Sequence, residues 1–548
     1  MRRWWQWLRW RRPDAASAPD NVTMKSMSGD LSSQDQVLEF LGQPGAYRPV
    51  PSRVDRIETH ASFVFLAGDR AYKVKRAVRY PFLDFSTLEK RHAACCKEFA
   101  LNRRTAVDLY LEVVPVTRGR DGTSRLGGEG EAMEWVLVMR RFNQASLYDC
   151  MAVEGRLSVE AMTPLGREVA RVHAGADRFL KGGLAVPPLA AVLEDNQAAF
   201  AGHSQLFPPD ALAELGRAAC ESLASVAPLL NGRTLSGFVR RCHGDLHLRN
   251  IVKIKGRPVL FDAIEFDDAL ATIDVLYDLA FLLMDLGARG LNAHANALLN
   301  AYLDADWSTC NLLGLKALPL FLSLRAMVRA KVELLRAEQG SEPSDARDRA
   351  GAYFALARDY LRTTRPLLIA IGGLSGSGKS SVARALASRL GTFPGAVHVR
   401  SDRERKRLFG VSPEEKLPRS AYTQDITDTV YAACRKRAAL ALKGARAVIV
   451  DAVHARPEER EHIAAVAGVP FVGLWLEVPA ALLKQRVGGR GLDTSDATPA
   501  IVEQQLTYDI GPQTFVVVDA SGPLEHVVLS CLREIRERAM HPGFTACT

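Results

Sequence analysis

Two groups of residues in this chain have the types and spacing to handle phosphate. The first is HGDLHLRN, His243 to Asn250, followed after a short hairpin by the apolar strand and acids of VLFDAIEFDD, which ends at Asp268. Phosphoryl transfer needs one carboxylate to hold an acceptor hydroxyl, and an amide plus a second carboxylate to hold magnesium on the phosphates. Asp245 is the candidate base. Asn250 and Asp262 are the candidate metal ligands, with Glu265 assisting, and His243 and His247 are expected to brace the loop. An isolated His-Gly-Asp is usually only a turn, but here an amide and a second acid follow at useful distances.

The second group is GGLSGSGKSS, Gly372 to Ser381, directly after the apolar run LLIAI and before SSVARALASRL, a helical pattern. Gly373 to Ser380 fits GxxxxGK[ST], the Walker A phosphate loop, and a strand before it with a helix after it is the context that the motif requires. Backbone N–H groups of Gly373, Leu374, Ser375, Gly376, Ser377, Gly378, Lys379, Ser380 and Ser381 would cradle the phosphates of a nucleotide. The Lys379 ammonium would lie on the β- and γ-phosphates and the Ser380 hydroxyl on magnesium. ARAVIVD ends at Asp451, an acid after an apolar run, which is the Walker B arrangement and a second magnesium-side carboxylate. AVHVRSD ends at Asp402, a candidate to orient an acceptor hydroxyl.

The elements that must hold these groups follow from the patterning. Residues 53–76 read as short strands with a turn at Gly68-Asp69. A helix is expected from about Ser86 to Thr105, with Ser86 as N-cap and Glu89 three residues on. LYLEVVPV and EWVLVMRRF read as strands flanking a Gly-rich loop, and from about Leu147 the chain turns helical apart from the motif strands at 251–264. Asp274 and Asp278 are expected to cap and brace the helix that follows. Segment 338–346 is polar and turn-rich, and Arg365-Pro366 introduces a new strand, which sets a boundary near 363.

HGDLHLRN with FDAIEF and IDVLYDLA resembles the aminoglycoside phosphotransferase family, a branch of the protein-kinase-like fold, over about residues 35–350. That resemblance implies that Lys73 in AYKVK meets the nucleotide phosphates with Glu98 as its partner, although Lys75 lies on the same strand face and is a rival. It also implies a small N-lobe (35–142) and a helical C-lobe (143–362). Two features depart from the family: ETHASFVFLAG stands where a glycine-rich phosphate loop is usual, and Glu265-Phe266 stands where an acid-Phe metal motif is usual. Residues from about 366 to 535 resemble small-molecule and polynucleotide-kinase-like P-loop kinases, so 363–548 is expected to be an α/β domain with a parallel sheet. In that group the run LLKQRVGGRGLDTSDATPAIVEQQL resembles a lid, whose Arg486 and Arg490 are available to neutralise transferred phosphate. Arg403, Arg405 and Arg407 either bind a phosphorylated acceptor or lie in solvent, and His454 carries no assigned role. The tandem order resembles bacterial bifunctional proteins that join an aminoglycoside phosphotransferase-like domain to an ATP-binding one.

These resemblances imply ATP and Mg2+ as cofactors and small hydroxylated molecules as acceptors. An alternative makes one domain a nucleotide sensor that regulates the other. A further alternative makes the P-loop half a nucleic-acid end kinase, which the charge does not favour. Five arginines within the first twelve residues, with no acid among them, supply five of the nine net positive charges and leave a weak footprint for a polyanion. The opening MRRWWQWLRWRR reads as a disordered or over-extended start (1–34), with Met24 or Met27 as initiator, against a rival reading as a Trp/Arg membrane-surface contact. No apolar run is expected to reach the roughly 18 residues that span a bilayer. Nine scattered cysteines without a CxxC pair fit reduced thiols and a cytoplasmic location.

Overall fold

Alternating β-branched and aromatic residues build the first sheet. The computed structural model describes residues 31–539 apart from 60, 81–82, 182–184, 307, 340–342, 363–364, 445, 467 and 490–495. The expectation for the first 34 residues falls almost entirely outside that range. Strands β1 (Val54–Glu58), β2 (Ser62–Ala67), β3 (Arg70–Lys75), β4 (Tyr110–Arg118), β5 (Ser124–Leu126) and β6 (Glu131–Arg140) form an antiparallel sheet in the order β1-β2-β3-β6-β4-β5. On β3, Tyr72 and Val74 enter the apolar core, so the two-residue alternation sends Lys73 and Lys75 to the other face. Helix α1 (Leu88–Asn102) lies beyond it. Its N-cap is Thr87, which accepts from the Lys90 N–H at 3.4 Å, and not Ser86, whose hydroxyl bonds Asp84 at 2.5 Å.

The helical C-lobe includes α2 (Met162–Ala174), α3 (Val275–Ala288) and α4 (Asn292–Ala305). Asp274 caps α3 by accepting the Leu276 N–H at 2.9 Å and also holds Arg233 through two 2.7 Å bonds. One expectation needs correction. The helical run Thr309–Glu338 is long and apolar enough, by length and composition, to cross a bilayer, yet 83% of its most apolar window is buried inside the protein. A core helix passes the same test because it is apolar on every face.

The second sheet is parallel: β7 (Leu368–Gly372), β8 (Val397–Arg400), β9 (Val448–Asp451), β10 (Phe471–Glu477) and β11 (Val516–Asp519), in the order β8-β9-β7-β10-β11. Its central strands β7, β9 and β10 are apolar on both faces, as buried parallel strands are. Leu368 and Ala370 belong to the same buried cluster as the C-lobe helices, while Ile369 and Ile371 pack with α5 (Lys379–Ala387) on the other side. The two halves thus share a core. Three further helices matter below: α6 (Ser401–Leu408), α7 (Ala480–Gly488) and α8 (Pro499–Leu506).

Candidate active sites

Between the antiparallel sheet and the C-lobe, two lysines and three carboxylates converge. Lys73 Nζ lies 2.7 Å from Glu98 and 3.1 Å from Asp262. Lys75 Nζ lies 2.5 Å from Glu265 and also bonds Glu98. Glu98 is therefore shared between the two lysines. Burial works against each charge, but the pairing wins for most of them. Burial would lower Lys73, yet Asp262 and Glu98 raise it well above the ordinary lysine value. Lys75 is likewise raised to about 12 by Glu265 and Glu98 against its burial. Glu98, against its own burial, is held down to about 2 by the two lysines. Glu265 is the exception, because burial raises it despite Lys75.

That geometry separates the rival lysines. Lys73 is the outer one and reaches Asp262; Lys75 is 1% exposed and locks α1 to the segment after Asp262. Glu265, expected to assist the metal, is 1% exposed and gives one carboxylate oxygen to Lys75, while its other oxygen is buried without a hydrogen-bond partner. Asp262 has φ +62, the left-handed region that few residues other than glycine, asparagine and aspartate adopt. Its N–H donates to the Tyr110 hydroxyl at 3.2 Å and the next N–H, of Ala263, to Asn102 Oδ1 at 2.8 Å. These bonds fix the turn that aims Asp262 at Lys73.

Asp245 and Asn250 lie together. The Asn250 Nδ2 donates to the Asp245 carboxylate at 3.0 Å and to its carbonyl at 2.9 Å. His247 Nε2 is 3.3 Å from the same carboxylate. Burial would raise Asp245, but His247 and His243 hold it down to about 2. Beneath the loop, Asp278 accepts the N–H groups of His243 (3.2 Å) and Gly244 (2.9 Å) and meets His173 Nε2 at 3.1 Å. A bracing role for His243 holds, since its Nε2 bonds the Phe261 carbonyl at 2.9 Å. Gly244 has φ +84, and a Cβ there would come within 3.0 Å of Ile264 and Ala271, so only glycine lets the loop pass.

The phosphate loop of the second half runs from β7 into α5. Gly376 has φ +92 and its missing Cβ would lie 2.7 Å from the Leu483 carbonyl of α7. The Lys379 ammonium donates to the Leu374 carbonyl at 3.0 Å, and the Ser380 hydroxyl to Asp451 at 2.5 Å. A polar pocket opens here, lined by Ser375, Gly376, Gly378 to Ser381, Arg384, Arg400 to Asp402, Asp451 and Val453. It brings the predicted Lys379, Ser380, Asp402 and Asp451 together. Burial would raise Asp451, but His398 and Arg400 hold it well below the usual carboxylate range. Burial raises Asp402.

Arg486 does not enter this pocket. Its guanidinium donates to the Ala520 and Ser521 carbonyls at 3.0 and 3.1 Å. Arg490 lies outside the described residues. Nor do the three arginines of α6 lie in solvent. Arg405 is 6% exposed, bonds the Ala421 carbonyl and sits 4.7 Å over Tyr422; Arg403 and Arg407 face Asp304 of α4. Three residues in or beside the pocket escaped the sequence reading. Arg400 Nη2 lies 3.4 Å from the Ser380 hydroxyl, His398 Nε2 lies 3.4 Å from Asp451, and Gln505 of α8 accepts the Ser375 N–H at 2.7 Å. Alternation along β8 offered a signal for the first two, because 398 and 400 are spaced by two on the strand that leads to Asp402. Gln505 offered none.

The model of the phosphotransferase enzyme family matches residues 66–313, and that of an AAA domain matches 368–508. An uncharacterized protein of Mycobacterium tuberculosis (strain ATCC 25618 / H37Rv) is 30% identical over 489 residues, 87% of this chain and 94% of the relative. An uncharacterized protein of Mycobacterium bovis matches to the same extent. Among solved structures, a choline/ethanolamine kinase family protein from Mesorhizobium loti is 16% identical with a TM-score of 0.38, covering 60% of this chain and 95% of that one. A gluconokinase from Sinorhizobium meliloti 1021 is 24% identical with a TM-score of 0.25, covering 32% and 95%.

Proposed function

Because the chain belongs to the family of these mycobacterial relatives, here a phosphotransferase domain followed by a P-loop kinase-like domain, we propose that it is an ATP-dependent phosphotransferase with two Mg–ATP sites. Each site transfers the γ-phosphoryl group to a hydroxyl of a small molecule, and the two catalytic units divide near residue 363. The observation that carries this reading is the placing of Lys73 between Glu98 and Asp262 in one half and of Ser380 against Asp451 in the other. A lysine held by a helix glutamate and a hydroxyl held by a strand-end acid are the parts that phosphoryl transfer requires.

In the N-terminal site the donor set is all oxygen and suits Mg2+. Asn250 spends its amide nitrogen on Asp245, so its oxygen is the atom left for a cation, and Asp262 supplies a carboxylate. In the second site Ser380 and Asp451 are the corresponding pair. Bound magnesium would neutralise charge on the transferring phosphates. Asp245, ionised at ordinary pH, accepts the hydrogen bond of the acceptor hydroxyl and aligns it; Lys73 offsets phosphate charge, and Lys75 with Glu265 holds the lysine strand to the metal-side loop. In the second site Asp402 aligns the acceptor, and Arg400, beside Ser380, takes the phosphate-neutralising part for which Arg486 is not positioned.

A second reading makes the N-terminal half a nucleotide sensor. The tight hairpin between β1 and β2, closed by Thr59 and Ser62 where a glycine loop is usual, favours it. One experiment separates the two: ADP release with Mg–ATP against a panel of sugars, aminoglycosides, nucleosides and short oligonucleotides, for wild type, Asp245→Ala and Lys379→Ala. An acceptor whose stimulation is abolished by one variant alone assigns that acceptor to that site. Nucleotide binding that persists when Lys379→Ala disables the P-loop site, with no acceptor-stimulated turnover sensitive to Asp245→Ala, supports the N-terminal half as a sensor.

A further inference from the structure

Strand β8 is an edge of the parallel sheet, and an edge strand normally leaves a row of N–H and C=O groups unpaired. Here two asparagines of α4, a helix of the phosphotransferase half, take the place of a neighbouring strand. The Nδ2 groups of Asn296 and Asn300 both donate to the Ala396 carbonyl, at 3.0 and 3.2 Å, and the Asn300 Oδ1 accepts the His398 N–H at 2.8 Å. Such an approach needs Gly395, whose φ is +111 and whose Cβ would lie 2.9 Å from the Asn296 amide. One turn further along the same helix face, the Asp304 carboxylate lies 3.7 Å from Arg403 and 3.9 Å from Arg407 of α6, and the Asp304 carbonyl accepts from Arg407 at 3.3 Å. Residues 296, 300 and 304 recur every four positions and so share one face.

What lies between these two anchors is the acceptor side of the P-loop pocket. Arg400 and Asp402 line it, and His398 reaches Asp451. A segment gripped at both ends by a helix has little freedom to shift, and an offset of about 1 Å at a reacting group costs on the order of a hundredfold in rate. We propose that Asn300 and Asp304 are positioning residues for the P-loop site, so that the phosphotransferase half completes the acceptor side of its neighbour's active site. The inference rests on the reading of that site as a phosphotransferase.

The test uses the full-length chain in an Asp245→Ala background, which silences the N-terminal chemistry. Into it go Asn300→Ala, Asp304→Ala, Asp304→Glu and, as a control on the exposed Arg167–Glu414 pair between the halves, Arg167→Ala. Two quantities are measured: ADP release with Mg–ATP, and hydrogen exchange of peptides covering 396–408 and 373–381. Asn300→Ala and Asp304→Ala are expected to lower kcat about tenfold with the KM for ATP within about twofold. They should speed exchange in 396–408 and leave 373–381 unchanged. Asp304→Glu should recover part of both effects and Arg167→Ala should alter neither. Unchanged kcat and exchange in both alanine variants, or exchange loosened equally across both peptides, would overturn the inference. If the parent shows no turnover sensitive to Lys379→Ala, the phosphotransferase reading of the site fails. The exchange data still decide whether α4 holds the 396–408 segment.

Discussion

Replacing Lys75 with methionine separates two jobs that sequence alone left between two lysines. The cluster holds two cations, Lys73 and Lys75, against three anions, Glu98, Asp262 and Glu265. Glu98 and Glu265 are 0% and 1% exposed, and Lys75 bridges them. Removing it leaves two buried carboxylates with only Lys73 nearby, and breaking a buried pair in this way costs about 3–5 kcal/mol. In a unit of this size that is a fall in the N-terminal unfolding midpoint on the order of 10 °C. Lys73→Met is different. It leaves Glu98 on Lys75 and frees only Asp262, which is 13% exposed. The stability loss should be smaller, while Asp245-dependent turnover should fall on the order of a hundredfold or more, the typical loss for one electrostatic contact to a transition state. Differential scanning calorimetry and ADP release on the same preparations read both quantities. Adding Glu265→Gln to Lys75→Met removes one of the stranded charges and should return about 1 kcal/mol or more of the loss. The reasoning fails if Lys75→Met is no more destabilising than Lys73→Met, or if Glu265→Gln adds to the damage.

Three other outcomes follow from the geometry. Gly376→Ala places a Cβ 2.7 Å from the Leu483 carbonyl in a backbone with φ +92, so strain of about 1–3 kcal/mol should weaken nucleotide binding at the P-loop site roughly tenfold, measured by equilibrium titration with Mg–nucleotide. Arg400→Gln should lower P-loop turnover by about tenfold or more while Arg486→Gln changes it less, because only Arg400 lies against Ser380; steady-state kinetics compare them. Asp245 has its folded value lowered from 3.8 to about 2, so it is ionised throughout the neutral range. Its contribution to stability is present above about pH 4 and is lost as pH falls toward 2. Asp245-dependent kcat/KM should therefore show no acid limb between pH 5 and 8 arising from this group, and a limb centred near pH 6 that Asp245→Glu displaces would contradict the assignment.

Much of both sites was legible because local chemistry fixes it. The phosphate loop needs its glycines wherever it occurs, and Asp245 and Asn250 are close enough in sequence for one loop to carry both. Asp262 was legible from its spacing after Asn250, but Lys73 needed a resemblance, since 189 residues separate the two and only the folded sheet brings them to 3.1 Å. The choice between Lys73 and Lys75 was not legible, because both point to one face of β3 and only depth below the surface tells them apart. The pairing of Glu265 with Lys75 was hidden for a related reason: an acid three residues after Asp262 shows no sign in the sequence of a partner 190 residues away. Arg486 sits at a lid-like spacing, but the carbonyls that claim it, at 520 and 521, come from a loop more than thirty residues away. The apolar run at 309–338 was underestimated because its charges are spread thinly, and burial inside the C-lobe accounts for its composition.

The asparagine-capped edge of β8 also bears on what a protease would achieve. The bonds from Asn296 and Asn300 to Ala396 and His398, and the buried cluster that includes both Leu368 and the C-lobe helices, do not depend on an unbroken backbone. Nicking the chain between Tyr360 and Leu368 should therefore give a two-chain complex that elutes as one species, not two free enzymes. A P-loop half expressed by itself would carry a bare parallel edge and an uncovered apolar surface, the combination that recruits further copies into aggregates. Joining the two halves in one chain then keeps that edge and that surface covered from the moment they fold.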